Sequence, residues 1–103
     1  MAGPEAQVEK YLVDTIAELE GTCLKFTVPG KRGYPDRLCK LPTGSAFVVE
    51  VKRPVGGVLA ELQKVRRVEL AGQGWRVYVV KNRGEIDDVI RKERAYAAAA
   101  ITS

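Results

Sequence analysis

Histidine is missing from all 103 residues. Its absence removes imidazole general bases, Ser-His and Cys-His nucleophiles, and every His-ligated metal site. There are two cysteines, Cys23 and Cys39. They are not spaced as C-x-x-C, and two thiols alone do not complete a zinc site. Both sit in apolar runs, as buried free thiols of a reducing cytoplasm do, and a disulfide between them is left open. No signal peptide is recognisable, and no apolar run reaches the ~20 residues that span a bilayer. Repeats and low-complexity linkers are also lacking, apart from an alanine-rich tail at 95–103.

What remains is a chain with a core and an excess of positive charge. The length suits one small domain, read as 1–103 with its core at about 5–91. A hydrophobic fraction of 46% argues for a folded interior. Seventeen Lys and Arg against thirteen Asp and Glu leave a net charge of +4, which favours a polyanionic partner.

The most informative stretch is 33–52, GYPDRLCKLPTGSAFVVEVK. Asp36 opens one short apolar run, Glu50-Val51-Lys52 closes the next, and Pro42-Thr43-Gly44-Ser45 marks a turn between them. The pattern predicts a β-hairpin over 36–41 and 46–52. Side chains on a strand alternate, so Glu50 and Lys52 share one face and Phe47, Val49 and Val51 the other. If Leu41 pairs with Ser45, Asp36 falls directly opposite Glu50, with Cβ atoms ~5 Å apart. Two carboxylates that close repel unless a cation or proton lies between them. A slip of one residue would set Asp36 against Val51 and destroy the pair.

The flanking segments follow from periodicity. Pro4 opens and Gly21 ends an amphipathic helix with Val8, Tyr11, Leu12, Thr15, Ile16 and Leu19 on its apolar side. Glu5 and Glu9 fall at the border of that stripe, one turn apart. First-turn acids are favoured by the helix dipole, which accounts for Glu5 better than for Glu9. Residues 22–28 read as a strand, and 29–35 as a loop holding Lys31 and Arg32 between glycines. A second helix is predicted over 58–71, with Val58, Leu59, Leu62, Val65, Arg66 and Leu70 on its packed side. Lys64, Arg66 and Arg67 make it basic, and Gln63 sits near the edge of the packed face. The apolar run at 75–80 predicts a strand interior to the sheet. Residues 82–84 read as a turn, and a third helix starts near Glu85, buries Ile86, Val89 and Ile90, and fades into the tail. The order is αβββαβα. A helical crossover between strands 46–52 and 75–80 implies that they pair in parallel. The expected fold class is α/β, a mixed four-stranded sheet flanked by helices.

Asp36 and Glu50 offer hard oxygens with no soft or imidazole ligand beside them, a combination that selects Mg2+ or Mn2+. The backbone carbonyl of Val51 is a further candidate ligand, and Glu9 an outer one. A cation there would acidify water, and Lys52 would stabilise charge on a phosphoryl transition state. Alone, a Glu-x-Lys on a strand is usually a surface ion pair. Here the apolar Phe47-Val48-Val49 before it points to a buried strand, where a lone charge pair is costly.

Pro35-Asp36 followed by Glu50-Val51-Lys52 resembles the PD-(D/E)xK nuclease superfamily. More narrowly the chain resembles the VRR-NUC family, the virus-type replication-repair nucleases. The residues are Glu9-Lys10-Tyr11-Leu12, Lys25-Phe26, Gly33-Tyr34-Pro35-Asp36-Arg37, Phe47-Val48-Val49-Glu50-Val51-Lys52, Gln63, and Gly74 ahead of Val77-Tyr78-Val79-Val80. The resemblance implies a restriction-endonuclease-like core and Mg2+- or Mn2+-dependent hydrolysis of DNA phosphodiesters. It implies Asp36 and Glu50 as metal ligands, Lys52 as the catalytic lysine, and Gln63 near the scissile phosphate. Glu9 matches the first-helix glutamate by its distance from Gly21, with Glu5 the competing assignment. Tyr34 stands where a small apolar residue is more usual, and either stacks on a base or sugar or packs. Stand-alone bacteriophage and prophage members are similar to junction resolvases. That likeness implies a homodimer acting on branched DNA in the cytoplasm of a bacterial host, with no membrane and no organic cofactor. Lys31, Arg32, Tyr34, Arg37, Lys64, Arg66 and Arg67 are the expected nucleic-acid contacts. The alternatives are a non-catalytic nucleic-acid-binding module and an accessory protein that contacts host repair factors.

Overall fold

The computed structural model describes residues 3–102; Met1 and Ala2 of the expected leader, and Ser103 of the tail, lie outside them. The elements are α1 (Pro4–Glu18), β1 (Thr22–Lys25), β2 (Arg37–Lys40), β3 (Phe47–Val51), α2 (Glu61–Gly72), β4 (Val77–Val80) and α3 (Arg83–Thr102). The sheet order is β1-β2-β3-β4. The first three strands are antiparallel, and β4 runs parallel to β3, as the helical crossover requires.

The hairpin has the register that the site needs. Arg37 pairs with Val49, Leu38 with Val48 and Cys39 with Phe47. One step further sets Asp36 opposite Glu50. The alternation also decides the layers. Cys39, Phe47, Val49, Val51 and Val80 join Val8, Leu12 and Ile16 of α1 and Ile86, Val89 and Ile90 of α3 in one core. Glu50 and Lys52 therefore project from the other face, the one that α2 covers.

Gly21 lets α1 turn tightly into β1. A Cβ there would lie 2.6 Å from the Lys40 carbonyl oxygen and 2.9 Å from Ile16 Cγ2. Any larger residue would push the helix off the sheet edge.

The elements depart from the sequence expectations in several places, and β2, β3 and β4 are each shorter than the expected 36–41, 46–52 and 75–80. Strand β1 stops at Lys25, although Phe26 N–H still donates to the Asp36 carbonyl at 2.8 Å. Helix α2 starts at Glu61, after the extended Ala60, so Val58 and Leu59 lie outside it; none of its residues is buried, and Val58, Leu62 and Val65, expected on the packed side, are exposed. Strand β4 lies at the sheet edge, not in its interior. Its apolar side chains report helices packed above and below, which says nothing about a lateral neighbour. Helix α3 begins at Arg83, inside the expected turn, and does not fade but continues to Thr102. Alanine is the strongest helix former, and buried Ala97 holds that end down.

A second buried cluster fastens α3 to β4. Glu93 is 2% exposed. Arg76 Nε and Nη2 donate to its two oxygens at 2.6 and 2.7 Å, and the Tyr78 hydroxyl donates at 2.6 Å. Arg76 Nη2 also reaches Ser45 Oγ at 2.9 Å, and its guanidinium covers the Tyr96 ring.

Candidate active site

The site stands where β2, β3 and α2 meet. Glu50 is 5% exposed because β3 lies between β2 and β4 with helices on both faces. Asp36 comes to it from the residue just before β2, across the hairpin. Burial, then hydrogen bonding and charge repulsion from the Asp36 carboxylate, push the Glu50 carboxyl up to about 8 against the pull of Lys52. Lys52 Nζ lies 3.6 Å from Glu50 Oε2. Gln63 enters from the first turn of α2. Its Oε1 accepts the Ala60 N–H at 2.9 Å, and its Nε2 donates to Glu50 Oε2 at 3.2 Å. One amide thus caps the helix start and fixes the carboxylate.

Proline at position 35 has a local consequence for the backbone. Val48 and Lys52 donate their N–H groups towards β4, to the carbonyls of Arg76 and Val80. The N–H and carbonyl of Val51 therefore point towards β2. Extended by two residues, the hairpin register sets Pro35 opposite Val51. Proline has no N–H to give. The ladder thus offers the Val51 carbonyl no donor, and the Val51 N–H turns to Asp36 Oδ2 at 2.8 Å.

Two carboxylates, one of them buried with its carboxyl raised, and a carbonyl without a ladder donor form a hard-oxygen set that fits Mg2+ or Mn2+. Among the described residues no third carboxylate or thiol joins them in a metal-holding cluster. Glu9 does not reach the pair. It accepts from Arg37 Nε at 2.8 Å on the α1 face of the sheet. Glu5, the competing first-helix acid, borders a cavity with Lys52, Arg53 and Val58.

The expected nucleic-acid contacts divide into held and open groups. Arg37 is engaged by Glu9. Tyr34 packs edge-on against Phe26, with ring centroids 6.0 Å apart, and lies under the Arg66 guanidinium at 4.8 Å. Arg66 also donates to the Arg32 carbonyl and to Glu69. These bonds dock the 29–34 loop on α2. Gly33 is needed there, with φ +86° and a Cβ position only 2.8 Å from Leu62 Cγ. The side chains of Lys31 and Arg32 are exposed. Lys64 and Arg67 line a cavity of about 380 Å³ together with Lys52 and Lys81. Lys81 escaped the sequence reading. The two-residue alternation through WRVYVVK, set beside that of FVVEVK, is the signal that locates it.

The raised Glu50 carboxyl makes metal-free stability depend on pH. Between about 4.5 and 8 the folded chain keeps a proton that the unfolded chain has released. That stabilisation is full below the unfolded value and is lost as pH rises through the folded one. Glu50→Gln has no proton to lose. In urea unfolding with EDTA, the variant and wild type should match near pH 4.5, and the variant should be roughly 2–4 kcal/mol more stable at pH 8.5. A gap that does not change with pH would mean that Glu50 is ionised throughout.

No family model matches the chain. It is 46% identical over 50 residues to "Putative nuclease p44" of Acyrthosiphon pisum secondary endosymbiont phage 1, a match over 48% of this chain and 54% of the phage protein. The chain thus spans about half the length of that relative. A solved structure described as "VRR_NUC domain" superposes with a TM-score of 0.82 at 30% sequence identity, over 87% of this chain and 97% of its own. That near-complete overlap joins the mixed αβββαβα sheet to the restriction-endonuclease-like fold, and the chain belongs to the VRR-NUC family.

Proposed function

We propose that this chain is a Mg2+- or Mn2+-dependent endonuclease that hydrolyses DNA phosphodiester bonds, acting as a homodimer on branched DNA such as four-way junctions in the cytoplasm of a bacterial host. The observation that carries the reading is the meeting of Asp36, Glu50, Lys52 and Gln63 from separate elements around a buried carboxylate. The nuclease description of the phage relative supports it. Asp36, Glu50 and the Val51 carbonyl would hold the metal, with Glu5, which borders the cavity beside Lys52, better placed than Glu9 as an outer acid. When bound, the metal supplies Lewis-acid activation of the phosphate and of water.

The protein's own groups do the rest. Lys52 holds a positive charge beside the carboxylates, where negative charge builds up on the phosphoryl oxygens. Gln63 keeps Glu50 in one rotamer and leaves its amide facing the site.

The test is cleavage of labelled four-way junction, flap, single-stranded and linear duplex DNA with Mg2+, Mn2+ or EDTA. Paired symmetric cuts in the junction, absent with EDTA, are expected. Equal cutting of every substrate would remove the preference for branches and keep the nuclease. No metal-dependent cutting at all would reject the catalytic reading.

A further inference from the structure

Strand β4 brings a cation to the site from a position outside the family motif. Val51 pairs with Val80 across the parallel strands, and Lys52 N–H donates to the Val80 carbonyl at 2.9 Å. The next step along the register sets Lys81 beside Lys52. Paired positions share a face, so Lys81 and Val79 project to the same side as Glu50 and Lys52. There they border the cavity of about 380 Å³ between α2 and the open edge of β4. Four cations line it, Lys52, Lys64, Arg67 and Lys81, and no carboxylate does. Lys52 and Lys64 have acidic partners in Glu50 and Glu61. Among the described residues, Arg67 and Lys81 are in no ion pair. A second cavity, of about 270 Å³, continues past Arg67 along Ala71 and Val77.

The rest of the lining narrows the ligand. Val58, Leu59 and Val79 supply apolar surface between the cations. No aromatic side chain is present to stack on a base. No amide or hydroxyl side chain is present to read a base edge. Such a channel suits alternating phosphates and sugars and ignores sequence. The edge of β4 would also admit a strand from another protein, but that would bury cations without counter-charges, which is costly.

We infer that the groove between α2 and β4 holds the sugar–phosphate backbone of the DNA strand next to the cleaved bond, with Arg67 and Lys81 on successive phosphates. The inference rests on the nuclease reading, which it extends to where the strand lies and which residues hold it.

The experiment measures binding of a labelled four-way junction and a duplex in EDTA, where nothing is cut, across a range of salt concentrations. The chains are wild type, Lys81→Gln, Arg67→Gln and, as a control, Lys92→Gln on the exposed side of α3. Each groove variant should bind several-fold more weakly on every sequence tested, and its slope of log K against log salt should fall by about 1. The control should match wild type. Unchanged slopes in both groove variants would overturn the inference. So would variants that alter sedimentation and leave DNA affinity intact, because the groove would then serve a protein partner. The two readings can fail separately. If wild type cuts no DNA but the groove variants lose slope, catalysis is rejected and the groove stands. If wild type cuts and the slopes hold, the groove alone is rejected.

Discussion

Asp36→Asn and Lys52→Ala should each lower DNA cleavage by about a thousandfold or more while the folded chain still binds junction DNA. Removing one well-placed charge-stabilising group from a closed site costs ~10²–10³ in rate. Removing a ligand that also sets the metal's position adds to that. Asparagine is the informative replacement at position 36. Its side-chain oxygen can still accept the Val51 N–H, so the hairpin keeps its bond and only the charge is lost. At Lys52 the side chain is 16% exposed and lies beside Glu50, so circular dichroism of the alanine variant checks its fold before the rates are compared. Single-turnover cleavage with saturating enzyme separates this loss from weaker binding. Either variant cutting at the wild-type rate would show that the chemistry lies elsewhere.

Arg76→Met should cost about 3–5 kcal/mol of folding stability, because it strands the Glu93 carboxylate in the interior. The Tyr78 hydroxyl would remain as a hydrogen-bond donor, but the charge would have no partner. The double variant Arg76→Met with Glu93→Met should recover a large part of the loss, since a buried ion pair is often replaceable by apolar side chains of similar size. Urea unfolding of the two variants beside wild type checks both statements. A double variant as unstable as the single one would mean that the cluster holds α3 by shape and not by charge compensation.

The active-site half of the fold was legible because local rules agree there. The turn at 42–45, the strand alternation and the two carboxylates all demand one register, and the structure has it. Gln63 lies on the half-buried side of its helix with Arg66 and Leu70, whereas Val58, Leu62 and Val65, expected on the packed side, are exposed, because the hydrophobic pattern does not show which side of this helix meets the sheet. The other misses share a different cause. The edge position of β4 depends on what lies beside a strand, and its own side chains record only what lies above and below. The bond from Arg37 to Glu9 and the packing of Arg66 on Tyr34 join residues 28 and 32 positions apart, and nothing local encodes them. Nothing in the local sequence sets Glu93 apart from its charged neighbours Lys92 and Arg94. Only its arrival over Arg76 makes it internal.

The absence of any buried residue in α2 has a kinetic consequence. A helix that stays in place through a few polar bonds and one leucine against a glycine opens at a small cost in free energy, well below that of the strands beneath it. Its backbone amides should exchange with deuterium long before those of β3. Gln63 goes with it, so each opening releases Glu50 and uncovers the cationic wall. The carboxylate side of the centre is built into the sheet, while the other side arrives and leaves on the timescale of a local fluctuation.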